Sequence, residues 1–532
     1  MTNLADDTVI SALAAGADRF GDDPFLRIGG HEISYGQAHE SVAAVAAALV
    51  EFGVSAGDRV TVMTENCQEA VWAWLGANAA SAIDVPLNTA AHGAFLEGQL
   101  AAAGPRVVVG TSDYLARMAD VHLPGLELAV TIGEPVEVGF GSSVRQVSFD
   151  ELLSLGRTTS QRGPSRPDSS APATIMFTSG TTGPSKGVMI PQRYYSVWGR
   201  RSASYLDVKP GEVTYCVQPL FHVDARAYVL NAVFCGATSA IGSRFSVSRF
   251  WDEIRDHRAN VFSYIGTMLW LLYKQPESDL DRQHDVRIAG GAATPAEIHR
   301  AFEQRFGIEL REAYGMTESL FLAHADNATP VGSVGRLVPE IDGRLVDDDG
   351  SEVPPGSAGE LIIRPTTPNC TALGYWPGTS SAAETSSEEW FHTGDLLRED
   401  ASGSLYFAGR KKDSIRRRGE NVSAWEVEEA AMKQPDVLEA AAIGIPSPLG
   451  EEDVALLVKV KDGSPVEPQQ LREFVAQQLP SFAVPRYIEF VDSFPKTPSE
   501  RVDKGKVRAV GLSEAAWDAD AAPADGSGRS GS

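Results

Sequence analysis

The feature that most constrains this chain is an alternation of helical patterns with short apolar, β-rich runs over about its first 345 residues. A helical pattern at 41–53 precedes the β-rich runs 58–65 and 105–110, and further candidate strands lie at 236–243, 259–265 and 286–293. Such alternation is typical of parallel strands connected by covering helices. We therefore predict an α/β fold whose large N-terminal domain contains stacked α/β sheets.

The pattern changes after about residue 330. Short β-rich runs between about 330 and 409 are separated by Asp-Gly, Pro-Pro-Gly and Ser-Gly turns, which predict an antiparallel β-rich section. A basic run and an αβ segment of about 90 residues follow, the size of a small, mobile α+β lid domain. The predicted organisation is an N-terminal domain (1–409), a hinge (410–412), a C-terminal lid (413–510) and a disordered tail (511–532) that is rich in Ala, Asp, Gly and Ser.

Charge and cysteine content narrow the functional class of this 532-residue chain. It carries 46 basic and 71 acidic residues, a net charge of −25, which repels an extended nucleic acid but permits a small nucleotide. The four cysteines form no CxxC pair, so the sequence encodes no zinc site or disulfide framework and fits the cytoplasm. The first residues do not resemble a signal peptide, and the most membrane-like stretch, 70–83, falls short of the roughly 20 residues of a membrane span. We expect no membrane partner; the oligomeric state stays open.

The strongest local motif is TSGTTGPSKG at 178–187, directly after the apolar run TIMF. Small and hydroxyl residues let a loop turn tightly and present amides and hydroxyls to phosphate oxygens, while a lysine adds positive charge. The motif lacks the GxxxxGK[ST] order of ordinary nucleotide hydrolases. The predicted phosphate-binding residues are Thr178, Ser179, Gly180, Thr181, Thr182, Gly183 and Lys186.

Three further motifs follow this loop: YGMTES at 314–319, HTGD at 392–395 and GRKKDSIRRRGENVSAWEVE at 409–428. Together the four motifs resemble, in the same order, those of the AMP-forming adenylating superfamily of acyl-CoA synthetases, luciferases and peptide-synthetase adenylation domains. The resemblance covers about residues 20–508, and it is nearest to the carnitine/crotonobetaine-type CoA ligases. It implies ATP and Mg²⁺, with coenzyme A as co-substrate.

The resemblance also implies residue roles. Thr317 contacts the α-phosphate, Glu318 binds Mg²⁺, Asp395 and Arg410 hold the ribose, and Lys412 is the pivot of the lid. Adenine lies on Gly290, Gly291 and Ala292 and stacks on Tyr314, with Gly315 and Met316 completing the nucleotide site. The acyl pocket contains His222, also a catalytic candidate, and Asp224, Gly290, Gly315 and Ser319, with Arg226 as a further possibility.

The chemistry of carboxylate activation by ATP requires these residue types, independently of the resemblance. A carboxylate that attacks the α-phosphorus of ATP approaches another anion, so hydroxyl and cationic donors and Mg²⁺ must neutralise the charge of the transition state. Thr317, Glu318 and the loop with Lys186 can supply such groups. Outside this context, Thr-Glu would indicate a helix cap and Thr-Gly-Asp a turn.

The C-terminal motif departs from the family pattern. Members carry PK-T-x-x-G-K, whose last lysine bridges the carboxylate and the α-phosphate, whereas this chain reads PKTPSERVDKGK at 495–506. Arg501 stands at the position of that lysine. It keeps the positive charge, and its guanidinium is a wider group that can donate two hydrogen bonds side by side. The alternative is that Lys504 reaches the same place.

The leading hypothesis is a two-step ligase that converts a small carboxylic acid to an acyl-adenylate and transfers it to coenzyme A. One alternative keeps the fold and changes the chemistry: an amine as acceptor, or nitrite activated and passed to an aryl amine. A second alternative is an inactive nucleotide-binding homologue, which the intact motifs disfavour. The sequence does not identify the acid.

Overall fold

The computed structural model describes residues 8–134, 138–159, 167–178, 186–326, 329–377, 390–417, 420–447, 452–479, 481–497 and 501–521. The helices of these residues are α1 (Val9–Phe20), α2 (Tyr35–Glu51), α3 (Gln68–Ala79), α4 (Gly93–Ala103), α5 (Ser112–Ala119), α6 (Phe149–Thr158), α7 (Gln192–Tyr205), α8 (Val223–Cys235), α9 (Phe250–His257), α10 (Gly266–Tyr273), α11 (His299–Phe306), α12 (Ala424–Met432), α13 (Pro468–Ala476) and α14 (Lys504–Val510).

The strands are β1 (Pro24–Ile28), β2 (His31–Ser34), β3 (Arg59–Met63), β4 (Ile83–Pro86), β5 (Val107–Thr111), β6 (Leu128–Ile132), β7 (Arg145–Ser148), β8 (Pro172–Thr178), β9 (Lys186–Pro191), β10 (Val213–Cys216), β11 (Thr238–Ile241), β12 (Val261–Ile265), β13 (Ile288–Ala292), β14 (Glu309–Met316), β15 (Ser319–His324), β16 (Arg336–Leu337), β17 (Ile341–Val346), β18 (Ala358–Pro365), β19 (Phe391–Glu399), β20 (Leu405–Arg410), β21 (Ser414–Arg417), β22 (Glu420–Ser423), β23 (Val437–Pro446), β24 (Glu452–Val460), β25 (Tyr487–Phe490) and β26 (Trp517–Asp518).

The described chain forms two compact units. The first takes its residues from Met1–Arg344, Ile362–His392 and Glu399–Tyr406, and the second from Leu345–Leu361, Thr393–Arg398 and Phe407–Ser532. The second unit resumes at Phe407, close to the predicted hinge at 410–412. It also includes two segments that the sequence analysis assigned to the N-terminal domain, because they belong to the β-rich section.

The first unit contains the predicted stacked α/β sheets. One sheet has the strand order β7-β6-β5-β3-β4-β8-β9 and the other β16-β15-β14-β13-β12-β10-β11-β1-β2. Helix α7 contacts β8 and β9 of the first sheet and β15 of the second, so it lies between them. The first sheet contains the consecutive strands β3 to β9, whereas β1 and β2, early in the chain, join β10 to β16 in the second sheet.

Short-range signals define several helix starts in this unit. The Ser34 side chain accepts from the Gln37 amide and the Gln37 side chain from the Ser34 amide, a reciprocal cap at the start of α2. Ser148 and Glu151 form the same arrangement at the start of α6. Such caps satisfy backbone amides that have no partner inside the helix.

The second unit has the predicted α+β lid at its C-terminal part. Its sheet has the order β23-β24-β25-β26, and the β21-β22 hairpin precedes it. Alternate residues of β23 and β24 point to opposite faces: Ala442 and Leu456 pack in a core with α12 and α13, whereas Ala441 and Leu457 pack in another with α14.

The predicted disordered tail begins too early. Trp517 pairs with Ile488 of β25, and the two carboxylate oxygens of Asp518 accept hydrogen bonds from Arg486 at 2.9 Å each. These contacts order the chain past residue 511 because they add a strand and an ion pair, which the Ala- and Asp-rich composition does not reveal. Residues 522–532 of the predicted tail lie outside the described residues.

Candidate active site

The phosphate-loop motif joins the antiparallel strands β8 and β9. Thr178 ends β8 and pairs with Lys186, the first residue of β9. Both residues therefore lie at the end of the strand pair, next to the loop. The Thr178 hydroxyl donates to the Lys186 carbonyl at 3.4 Å. The predicted residues Ser179, Gly180, Thr181, Thr182 and Gly183 lie outside the described residues.

The YGMTES motif forms the tip of the β14-β15 hairpin, not the helix cap that an isolated Thr-Glu would indicate. Met316 pairs with Ser319, and Thr317 and Glu318 are the two turn residues, both half-buried. A Cβ at Gly315 would lie 1.7 Å from the Leu320 carbonyl oxygen, so the close strand approach requires glycine there.

Buried contacts fix this hairpin tip. Tyr194 of α7 donates its hydroxyl to the Thr317 carbonyl at 3.1 Å, and the Ala372 amide donates to the Glu318 carbonyl at 2.8 Å. Ser319 is completely buried, and its hydroxyl has no hydrogen-bond partner among the described residues. The Thr317 and Glu318 side chains are therefore held on a rigid backbone.

Tyr375, which the sequence analysis missed, connects the two hairpins. The segment around it runs along β9, where the Met189 amide donates to the Gly374 carbonyl at 2.9 Å. The Tyr375 hydroxyl donates to Glu318 Oε1 at 2.9 Å, and Lys186 Nζ lies 4.7 Å from the centre of the Tyr375 ring. Burial and, next, the Glu318 charge raise the pKa of Tyr375, so the phenol stays a donor. The tyrosine thus brings the proposed phosphate lysine and the proposed metal carboxylate to one place.

The predicted adenine-binding residues end β13, in the middle of the larger sheet. A Cβ at Gly291 would lie 2.0 Å from the Tyr264 carbonyl oxygen, and one at Gly290 would lie 2.2 Å from Leu206 Cδ2. Tyr314 lies on the adjacent strand β14 and is buried. The small residues are therefore required by packing, as in a tight βα turn, and the backbone ends at the carboxyl edge where nucleotides bind in parallel sheets.

Two of the predicted acyl-pocket residues, His222 and Asp224, lie at the start of α8. His222 precedes the helix, with its ring 4.8 Å from that of Phe221, and Asp224 is exposed in the first turn. The charge of Asp224 contributes to raising the pKa of Tyr194 of α7 and of Tyr228 of α8, in both cases after the larger effect of burial.

Arg226 lies two residues further along α8, and its side chain is 3% exposed. Its guanidinium contacts Asp84 at 2.6 Å and the Tyr195 hydroxyl at 3.0 Å, and lies 4.3 Å from the Trp74 ring. The possibility that Arg226 lines the acyl pocket is therefore not favoured, because this cation belongs to a buried structural network.

Within the second unit, Asp395 and Arg410 lie together. Arg410 Nε is 3.0 Å from Asp395 Oδ1, and Asp395 is nearly completely buried on β19. The neighbouring Gly394 amide donates to Glu360 at 3.2 Å, and Lys411 pairs with the same carboxylate at 3.1 Å. These contacts hold the two predicted ribose residues side by side.

The predicted pivot, Lys412, lies in a short 3-10 turn, Lys411–Asp413, between β20 and β21. In the lid, Lys504 begins α14 and is held by Glu428 at 2.7 Å and by Asp413 at 3.7 Å. Arg501 is exposed, and its carbonyl oxygen accepts a 2.6 Å hydrogen bond from the Thr497 amide. The two carboxylates that hold Lys504 disfavour it as the candidate cation.

The donor set fits a magnesium ion that arrives with a nucleotide. Among the described residues, no group of three or more His, Cys, Asp or Glu side chains could hold a metal alone. Mg²⁺ is usually held by one or two carboxylates together with substrate phosphates, and Glu318 supplies one carboxylate near Lys186.

No helix among the described residues is long and apolar enough to cross a bilayer.

Comparisons with known proteins identify relatives over nearly the whole chain. The chain is 28% identical to the sulfoacetate–CoA ligase of Cupriavidus necator over 94% of this chain and 97% of that protein. It is also 28% identical to the crotonobetaine/carnitine–CoA ligase of Salmonella paratyphi C, over 90% and 93% of the two chains.

The fold is shared with solved structures of 25% or greater identity, among them the following two. The anthranilate CoA ligase AuaEII in complex with anthranoyl-AMP superposes with a TM-score of 0.86 at 25% identity, over 95% of this chain and 97% of that one. ATP-bound MatB from Rhodopseudomonas palustris gives 0.80 at 26%, over 95% and 99%.

The family of AMP-binding enzymes matches residues 13–376, and the C-terminal domain of AMP-binding enzymes matches residues 426–501. The first match alone spans more than half of the chain. The chain therefore belongs to the AMP-binding enzyme family.

Proposed function

We propose that this enzyme is an ATP-dependent, AMP-forming ligase that activates a small carboxylic acid as an acyl-adenylate and transfers the acyl group to coenzyme A. The observation that carries the proposal is the contact of Tyr375 with both Lys186 and Glu318. It joins a cation and a carboxylate from two separate hairpins, the combination that phosphoryl chemistry on Mg²⁺-ATP requires.

In the first step, a carboxylate oxygen of the acid forms a bond to the α-phosphorus, and the bond from phosphorus to pyrophosphate breaks. Lys186 and Thr178 bind phosphate oxygens, and Thr317 contacts the α-phosphate from the hairpin tip. Glu318 would hold Mg²⁺, which supplies positive charge to the phosphate oxygens when bound. Arg501 adds a cation from the lid.

In the second step, the thiol sulfur of coenzyme A attacks the acyl carbon, the thiol loses its proton, and AMP leaves with the electron pair of the broken C–O bond. Asp395 and Arg410 hold the ribose through both steps. Lys412 is the pivot about which the lid moves between them, since the two steps need different groups beside the same adenylate.

The charge around α8 restricts the class of acid that we expect as the substrate. Asp224 is the exposed carboxylate at the proposed acyl pocket, and its charge acts on the neighbouring Tyr194 and Tyr228. A carboxylate there favours an acid that carries an amine or ammonium group and disfavours one with a second anionic group. Acids like those in the names of the crotonobetaine/carnitine and anthranilate ligases therefore fit better than sulfoacetate.

A panel assay tests both the reaction and the acid. Crotonobetaine, carnitine, anthranilate, benzoate and sulfoacetate are each incubated with ATP, Mg²⁺ and coenzyme A, and pyrophosphate, AMP and thioester are measured. We expect equal amounts of AMP and thioester, with an amino- or ammonium-bearing acid preferred. Preference for sulfoacetate would refute the role of Asp224, and AMP without thioester would refute coenzyme A as acceptor.

The alternatives raised by the sequence are not supported. The relatives described above are named as CoA ligases, and AuaEII holds an acyl-adenylate. None of these names indicates an amine acceptor, nitrite activation or an inactive nucleotide-binding protein.

A further inference from the structure

Glu312 is a buried carboxylate that none of the proposed roles uses. It lies on β14, is 8% exposed, and faces the turn that follows β13. Its Oε1 accepts the Ala293 amide at 2.8 Å and its Oε2 accepts the Thr294 amide at 2.7 Å; Oε2 also accepts the Thr294 hydroxyl. Both oxygens thus hold consecutive amides of one turn.

The turn needs such a clamp because its backbone is unusual. Ala293 has φ +60°, a left-handed backbone conformation. This conformation is higher in free energy for alanine than for glycine, because alanine has a Cβ. The turn is also tightly packed, since a Cβ at Gly266 would lie 1.8 Å from the Ala293 carbonyl oxygen. Without Glu312, the Ala293 and Thr294 amides of this strained turn would lose their acceptor.

The clamp acts directly on the proposed adenine platform. Ala293 follows Ala292, the last residue of β13, whose Gly290 and Gly291 are packed without space for a side chain. The Tyr228 hydroxyl fixes the same strand by donating to the Gly290 carbonyl at 3.3 Å. A shift of the Ala293–Thr294 turn would therefore move the backbone on which the base is proposed to lie.

We propose that Glu312 is a positioning residue for the base of ATP: its ionised carboxylate fixes the Ala293–Thr294 turn and so the β13 backbone that receives the adenine. This inference rests on the proposed adenine site. Glu312 acts through the turn and does not itself contact the nucleotide.

The surroundings of Glu312 make this clamp sensitive to pH. Burial raises its pKa to about 7, which the hydrogen bonds from Thr294 and Ala293 and the charge of His299 on α11 oppose. The groups that face it from α7 and β12 are Tyr205 and Tyr264, whose own pKa values are raised by burial first and then by Glu312. Below about pH 7, protonation removes an acceptor from the turn, so nucleotide affinity should fall as pH falls through this range.

The test compares Glu312→Gln with Glu309→Gln, a control on the same strand that pairs with Arg311 at 2.6 Å outside the turn. Calorimetry measures the Kd of AMP at pH 6 and pH 8, and product inhibition gives the Ki of pyrophosphate, which lacks a base. We expect Glu312→Gln to weaken AMP about tenfold at pH 8, the scale of losing a charged buried acceptor. The Ki of pyrophosphate should stay unchanged, and the pH dependence of AMP binding should shrink.

Three results would overturn the inference. They are an AMP Kd within twofold of the wild type, an undiminished pH dependence in Glu312→Gln, and an equal loss of AMP and pyrophosphate affinity, which would indicate a merely structural role. If Glu312→Gln does not fold, Thr294→Val, which removes the hydroxyl contacts with Glu312 and Tyr264 and keeps the Thr294 amide, should weaken AMP selectively; an unchanged AMP Kd then overturns the inference. Failure of the wild type to bind AMP would instead refute the proposed function.

Discussion

At the scale of single residues, the proposed chemistry depends most on Glu318 and on the hydrogen bond that it accepts from the Tyr375 hydroxyl. Glu318→Gln keeps the shape of the side chain and removes its charge. We expect pyrophosphate formation to fall by about 10²- to 10³-fold, as on loss of one charge-stabilising contact, with a higher Mg²⁺ requirement. Tyr375→Phe, which keeps the ring beside Lys186 and loses the hydrogen bond, should raise the Mg²⁺ requirement more mildly. Rate measurements over a Mg²⁺ titration check both, and unchanged Mg²⁺ dependence in Glu318→Gln would contradict the metal assignment.

The second residue-scale prediction separates Arg501 from Lys504. Arg501→Ala should slow adenylation by about 10²-fold, the scale of a charge-assisted contact made in the transition state, and leave acyl transfer from a supplied acyl-adenylate almost unchanged. Lys504→Ala should affect catalysis less, because Lys504 is held by Glu428 and Asp413. Pyrophosphate exchange and thioester formation measure the two steps separately. A severe effect of Lys504→Ala with a silent Arg501→Ala would show that the sequence match has placed the cation wrongly.

At the scale of elements, the short turn around Lys412 is the proposed pivot of the lid. Proline fixes φ near −65° and removes an amide donor, so Lys412→Pro should impair one half-reaction far more than the other. Lys412→Ala keeps the backbone free and serves as the matched control. Equal slowing of adenylation and of acyl transfer in the proline variant would argue against a pivot at this position.

Elements were predictable where the signal is local. The apolar run before Thr178 is β8, the run at 286–293 contains β13, and the turn-separated runs after 330 are strands. Elements that depend on distant partners were not: β26 forms because Trp517 and Asp518 meet β25 and Arg486. The same limit applies to the site. Tyr375 contacts Glu318 from 57 positions away in the sequence, and the residues next to Tyr375 do not form a motif that indicates a function.

At the scale of the whole molecule, the first unit depends on a buried ion pair. Asp84 of β4 and Arg226 of α8 are 142 positions apart and pair at 2.6 Å; both also hydrogen-bond the Thr174 hydroxyl, and Arg226 donates to the Tyr195 hydroxyl. Removing one partner leaves a buried charge without compensation, at a cost of about 3–5 kcal/mol. We expect Asp84→Asn to lower the free energy of unfolding by about this amount, measured by chemical denaturation. Asp224→Asn, an exposed change near Arg226, is the control; equal stability of the two variants would contradict a structural role for the pair.

The central claim, that the acid attacks the α-phosphorus of ATP, has one direct test. The preferred acid is supplied with ¹⁸O in both carboxylate oxygens, together with ATP, Mg²⁺ and coenzyme A, and the nucleotide product is analysed by mass spectrometry. Attack on the α-phosphorus predicts that each AMP carries one ¹⁸O, because the C–O bond of the acyl-adenylate breaks in the second step. Unlabelled AMP, or label in inorganic phosphate with ADP as the nucleotide product, would contradict the account.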